Sequence, residues 1–201
     1  MDRTRWEQTE EPRAYGAHFA DLVAQGADID GEARFVDAVA ARGSKILDAG
    51  SGMGRVGAAL QARGHTVVGV DLDADELARS RQIFPDLPVV QARLDGLSAG
   101  DLGDHGPDFD LIVCVGNVLV FLAENTEREV LARLRALARP GGRLVAGFMV
   151  RGGPPAARDY PAEEFAADAE ASGWTLEHRF ATFELDPWTD ESEFLVAVLR
   201  A

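Results

Sequence analysis

The segment Ile46-Leu47-Asp48-Ala49-Gly50-Ser51-Gly52-Met53-Gly54 constrains this chain more than any other part of it: an apolar run ends in a carboxylate, enters a glycine-rich turn and opens a helix-length stretch. Glycines at such a turn let the backbone pass close to a ligand, and the first turn of the helix that follows presents unpaired N–H groups to it. The turn reads in two ways. Gly52-Met53-Gly54-Arg55-Val56-Gly57 satisfies the dinucleotide pattern G-x-G-x-x-G, and Asp71, nineteen residues beyond Gly52, stands where a ribose-binding acid belongs. The glycines also run back through Gly50 to Asp48, as D-x-G-x-G-x-G. A carboxylate aimed into the crevice there opposes a diphosphate but suits a cationic amino group, directly or through water. A nucleoside with an amino-acid tail is therefore favoured over a pyrophosphate.

Around this turn, short β-branched runs alternate with helix-length stretches, the pattern of a parallel sheet covered on both faces. Strands are expected at Lys45–Asp48, Thr66–Asp71, Val89–Ala92, Phe109–Val115 and Arg143–Val150. The helices between them are expected at Val56–Arg63, Ala74–Phe84 and Glu127–Ala138, the last with Val130, Leu131, Leu134 and Leu137 at helical spacing. Pro140-Gly141-Gly142 is read as the turn into strand five. Two helical stretches, Tyr15–Gln25 and Gly31–Arg42, precede the first strand. After a helix over Ala162–Ser172, strands at Trp174–Leu185 and Glu193–Leu199 flank Asp186-Pro187-Trp188-Thr189-Asp190 and pair as an antiparallel hairpin. The expected fold class is α/β: a Rossmann-like, mostly parallel, seven-stranded sheet with helices on both faces and a C-terminal antiparallel hairpin. At 201 residues the whole chain, 1–201, fits one domain, with an N-terminal helical segment over 1–43 and the core over 44–201.

Composition narrows the function. With 34 acidic against 20 basic side chains the formal charge is -14, and no basic patch is concentrated enough to attract a phosphate backbone, so nucleic acid is disfavoured as a partner. Cys114 is the only cysteine, which removes disulfide scaffolds and thiolate metal clusters, and no metal is expected. The charged N-terminus lacks a signal-peptide core, and Leu111–Ala123, the longest uncharged apolar run, is too short to span a bilayer. A cytoplasmic location without membrane partners follows as the expectation. Lys45 is the only lysine: Gly54 is followed by Arg55 and Val56, not by a Walker lysine, and neither Tyr15 nor Tyr160 has a lysine four places on.

With these residues in view, the chain resembles the class I S-adenosylmethionine-dependent methyltransferases along nearly its whole length. Asp48-Ala49-Gly50-Ser51-Gly52-Met53-Gly54 matches the family's first motif, although a cysteine is common where Ser51 stands. Asp71 matches the acid that binds both ribose hydroxyls, with Leu72 beside it. Phe109 to Asn117 resembles the fourth motif, where the backbone around Val115, Gly116 and Asn117 meets the methionine part of the cofactor, and Arg139-Pro140-Gly141-Gly142 the turn into strand five. Tyr15-Gly16-Ala17-His18-Phe19, Gly31-Glu32-Ala33-Arg34, Val115-Gly116-Asn117-Val118 and Asp186-Pro187-Trp188 look like a group of small stand-alone bacterial members. The chain departs from the family after strand three: Arg93, followed by Leu94, stands where an acid accepts from the adenine amino group, and Asp95 serves only if the turn shifts.

The resemblance implies that S-adenosylmethionine is bound and S-adenosylhomocysteine released, with a small-molecule methyl acceptor and with the N-terminal segment as a lid. Tyr15 and His18, at i and i+3 of that segment, are then candidate wall residues, and His18 the first candidate base. Asn117 either orients a substrate or supports its turn. Asp73 is the expected helix cap, and Asp110 and Cys114 read as structural; His65, His105 and His178 read as surface or strand-edge residues. A nicotinamide oxidoreductase using Gly52, Gly54, Gly57 and Asp71 and a non-catalytic S-adenosylmethionine-binding protein remain as rivals.

Overall fold

The computed structural model describes residues 2–9 and 29–201. Among them are α1 (Arg5–Gln8), α2 (Gly31–Val39), β1 (Lys45–Ala49), α3 (Arg55–Ala62), β2 (Thr66–Asp71), α4 (Ala74–Ile83) and β3 (Val89–Gln91). The remaining elements are β4 (Phe109–Cys114), α5 (Glu127–Leu137), β5 (Ala138–Met149), α6 (Ala162–Ala171), β6 (Thr175–Phe180) and β7 (Phe194–Arg200). The stretch Tyr15–Gln25, with Tyr15 and His18, lies outside the described residues.

The strands form one seven-stranded sheet in the order β3-β2-β1-β4-β5-β7-β6. β1 pairs parallel to β2 and β4, and the parallel run continues to β3 on one side and β5 on the other. β7 lies between β5 and β6, antiparallel to both, so the C-terminal hairpin is inserted with its second strand innermost. The parallel strands alternate side chains between two cores, as period two requires. Leu47, Val68, Ile112 and Leu144 join α5 and α6 on one face, while Ile46, Val67, Leu111 and Val145 join α2 and α3 on the other. Among the described residues no helix is long and apolar enough to cross a membrane.

Most element bounds fall within two residues of the sequence reading, and the differences have local causes. β5 begins at Ala138, directly after α5, and contains Pro140-Gly141-Gly142 rather than following it. Its register to β4 steps from Phe109 opposite Ala138 to Leu111 opposite Arg143, and Gly141, at φ +73°, absorbs the bulge. β6 stops at Phe180 because Thr182 and Asp186 build a turn, with Thr182 Oγ1 donating to Asp186 Oδ2 at 2.8 Å. His65 is buried rather than superficial: its Nε2 lies 3.0 Å from Asp37 Oδ1, so the ring is taken up between α3 and α2.

Asp73 caps α4, accepting from the backbone of Asp75 and Glu76. Cys114 is fully buried and burial pushes its thiol pKa up, which leaves it inert as a nucleophile at neutral pH. Asp110 sits at the amino end of β4, where it accepts from Lys45 N at 2.8 Å and pairs with Arg139 at 2.5 Å.

Candidate functional site

A cavity opens at the carboxyl ends of β1, β2, β3 and β4, the edge where open α/β sheets bind ligands. Its floor is made by the turns after β1 and β2. Gly50 (φ +83°) and Ser51 both donate to Val70 O, at 2.8 and 3.0 Å, which pins the glycine turn to β2. A Cβ on Gly50 would lie 2.4 Å from Val118 Cγ2, so this position needs glycine for space as well as for conformation. Gly52 N donates to Asp71 Oδ2 at 2.8 Å and Asp73 N to Asp71 Oδ1 at 2.9 Å, so one carboxylate ties the two turns together and keeps further lone pairs for a ligand.

Asp48 lies deepest, 3% exposed, and among the described residues its Oδ2 has no hydrogen-bond partner. Burial is the main cause that pushes its pKa up to about 7, against the opposing Gly57 N–H and Arg55. Arg55 meets Glu32 as a fork, at 2.7 and 3.0 Å, and this engagement leaves Asp48 undercompensated. Burial also raises the pKa values of Asp71 and Glu76, which line the same space. The floor is thus a concave, acid-lined surface suited to a ligand that brings positive charge and hydroxyl donors.

The rim is arranged differently. Arg93 reaches Asp95 with two bonds, Nε to Oδ1 at 3.0 Å and Nη2 to Oδ2 at 2.6 Å, and holds that carboxyl below the usual carboxylate range. Its Nη1 donates to Glu7 Oε2 at 2.9 Å and Nη2 to Asp2 O at 2.9 Å, fastening the N-terminal strap, residues 2–9, over the cavity. Within the strap Thr4 and Glu7 form a capping box, and Trp6 Nε1 donates to Asp73 Oδ2 at 3.0 Å while its ring meets Phe121 edge-on. Thr4 and Trp6 both face the cavity.

All the candidate cofactor residues except Gly54 and Asn117 line this one cavity. Gly54 (φ +84°) starts α3 and packs beneath it, where a Cβ would come within 2.5 Å of Ser80 Oγ. Asn117 (φ +69°) accepts from Met149 N with its Oδ1 at 2.8 Å, an arrangement that supports the β4–β5 edge. The residue presented to the cavity after β3 is Asp95 as well as Arg93, because the chain turns there into a 3₁₀ segment, Leu94–Gly96. Thr4, Trp6, Glu7, Phe121 and Leu122 were not anticipated; only Thr4-x-x-Glu7, a readable capping box, carried a signal.

Strand order and the glycine turn after β1 define a Rossmann-like fold with an acid-lined cavity at the carboxyl edge of its sheet. Residues 47–144 match the profile of a methyltransferase domain. The crystal structure of a TehB-like SAM-dependent methyltransferase from Corynebacterium glutamicum is 40% identical, with a TM-score of 0.83 over 93% of this chain and 96% of that one. An uncharacterized methyltransferase of Mycobacterium bovis is 36% identical over 110 residues, 54% of this chain, and the match spans about half, 53%, of that relative's length. A SAM-bound amino pentose methyltransferase from Micromonospora echinaspora shares the fold, with a TM-score of 0.68 at 20% identity, over 92% of this chain and 97% of that one. The chain belongs to the S-adenosylmethionine-dependent methyltransferases.

Proposed function

We propose that this protein passes the methyl group of S-adenosylmethionine to a small-molecule acceptor and releases S-adenosylhomocysteine. The observation that carries the reading is the Oδ2 of buried Asp48, two residues before Gly50, which has no hydrogen-bond partner among the described residues. A cationic amino group relieves that carboxylate, whereas a diphosphate would be repelled by it. Asp71, already fixed by Gly52 and Asp73, accepts from two ribose hydroxyls, and Leu72 and Leu94 give the base its apolar walls. Asp95 is the acid available to the adenine amino group, with Arg93 holding it in place. No metal is required by this reading.

The cofactor supplies a methyl group on a sulfonium that is already a good leaving group. The chain's share is therefore alignment and exclusion of water, for which the strap over the cavity and the packed turn after β4 are suited. A small acceptor is favoured over nucleic acid by the net charge of -14. His18 is the candidate base and Tyr15 a candidate wall of the acceptor site; His18→Ala is expected to lower turnover far more than cofactor affinity.

The test of the cofactor reading is calorimetric titration with S-adenosylmethionine, S-adenosylhomocysteine and NAD. Micromolar binding of the first two is expected, weakened at least about 30-fold in Asp71→Ala, the scale of losing charge-assisted hydrogen bonds. Binding of NAD alone would overturn it. Tight binding of S-adenosylmethionine with no transfer to any acceptor tried would point instead to a cofactor-binding protein.

A further inference from the structure

Glu127 opens α5, where an acid is favoured by the helix N-terminus, but its side chain is only 4% exposed. A carboxylate so buried needs cationic partners, and this one has two, from segments far apart in the chain. Arg158 Nη1 donates to Glu127 Oε1 at 2.8 Å, and Arg5 Nη1 stands 3.6 Å from the same oxygen. Arg5 belongs to the strap, between Thr4 and Trp6 that face the cavity. Arg158 belongs to the loop 150–161, which leaves the carboxyl end of β5 and leads into α6.

Both arginines also rest on one stretch of backbone. Arg5 N and Nη1 donate to Leu122 O at 3.3 and 3.0 Å, and Arg158 N donates to Val120 O at 3.1 Å. Leu122 itself lines the cavity. Arg158 in turn bolts its loop together: Nη2 donates to Glu164 Oε1 at 2.6 Å, and the guanidinium lies 4.7 Å from the centre of the Tyr160 ring. A continuous chain of contacts therefore runs from the cavity through Thr4 and Trp6 to Arg5, Glu127, Arg158 and the loop.

We propose that Glu127 is a positioning residue through which a filled cofactor cavity, by way of Arg5 and Arg158, orders the loop 150–161. The proposal rests on the cofactor reading above. A ligand under Thr4 and Trp6 holds the strap down, the strap keeps Arg5 against Glu127, and Glu127 keeps Arg158 and its loop in register. Coupling of this kind is reciprocal, so a loosened loop also lowers cofactor affinity.

Hydrogen exchange of the amides in 2–9 and 150–161, with and without S-adenosylhomocysteine, tests it. In the wild type the ligand is expected to slow exchange in both segments by about tenfold, within the ordinary range for coupled sites. Arg5→Ala, a substitution at a partly exposed strap residue, is expected to keep the response of the strap but reduce that of the loop to under about twofold, with Arg5→Lys restoring most of it. Glu127→Gln should abolish the loop response while the ligand still binds; Arg5→Ala decides the matter should that variant not fold. Binding to the wild type without a loop response, or a full loop response in Arg5→Ala, overturns the inference alone. Failure of S-adenosylhomocysteine to bind the wild type overturns the cofactor reading and this inference with it.

Discussion

The floor and the rim of the cavity are both built with acids, in opposite electrostatic states. On the floor Asp48 and Asp71 are pushed upward in pKa by burial, and Arg55, which opposes the shift at Asp48, is engaged by Glu32. At the rim Asp95 is held low by Arg93, which also binds Glu7. The floor therefore carries an unmet demand for positive charge and the rim carries none. An unpaired buried carboxylate costs stability and persists where a ligand supplies its partner, whereas paired groups do structural work without one. The floor accordingly reads as the part that recognises charge, and the rim as the part that keeps the strap closed.

Replacing Gly50 should break the floor outright. Gly50→Ala places a Cβ 2.4 Å from Val118 at a φ of +83°, and a loss of about 3 kcal/mol of stability with no measurable S-adenosylhomocysteine binding is expected by denaturant unfolding and calorimetry. Asp48→Asn removes only the demand for charge. Since Asp48 ionises near pH 7 in the free protein, wild-type affinity for S-adenosylmethionine should rise about tenfold per pH unit below 7 and level off above it, a slope absent from the variant.

The same raised pKa fixes a stability trend. An acid at about 7 folded and 3.8 unfolded destabilises the folded state progressively as pH rises between those values. Thermal unfolding of the ligand-free protein should therefore favour Asp48→Asn over the wild type more at pH 8 than at pH 5. At the rim, Arg93→Ala releases Asp95, Glu7 and the backbone of Asp2 and is expected to weaken S-adenosylhomocysteine binding about three- to tenfold and to expose the strap to protease. Asp95, lowered in the wild type, contributes stability above its unfolded pKa that is lost as pH falls through the folded one, so the two proteins should converge in acid. The smallest effect belongs to the opposite edge of the sheet: Arg139→Ala breaks a half-exposed pair with Asp110 and should cost under about 1 kcal/mol, with ligand affinity unchanged.

The floor was legible in the sequence because it is made by neighbours. Asp48 through Gly52 follow one another, and Asp71 ends a strand whose β-branched run marks its own bounds, so spacing alone places them. The rim was not legible. Arg93 reads in the sequence only as a base standing where an acid is expected; the fold brings Glu7 to it across 86 residues, and the capping box at Thr4 announces a helix start without saying what it covers. Asn117 illustrates the boundary between the two: its position after β4 could be read from the chain, but its bond to Met149 N depends on β5 lying alongside.

By itself, then, the sequence determined the strand–helix alternation, the two-faced burial of the central parallel strands and the backbone cradle with its acids, because these follow from local conformation and period. Tertiary structure decided the early start of β5, the short β6, the burial of His65 and the contacts of Arg5 and Arg158 with Glu127 and of Arg93 with Glu7. A long arginine has many carboxylates within reach on an acidic chain, and which one it meets is chosen by packing between distant elements, not by spacing along the chain.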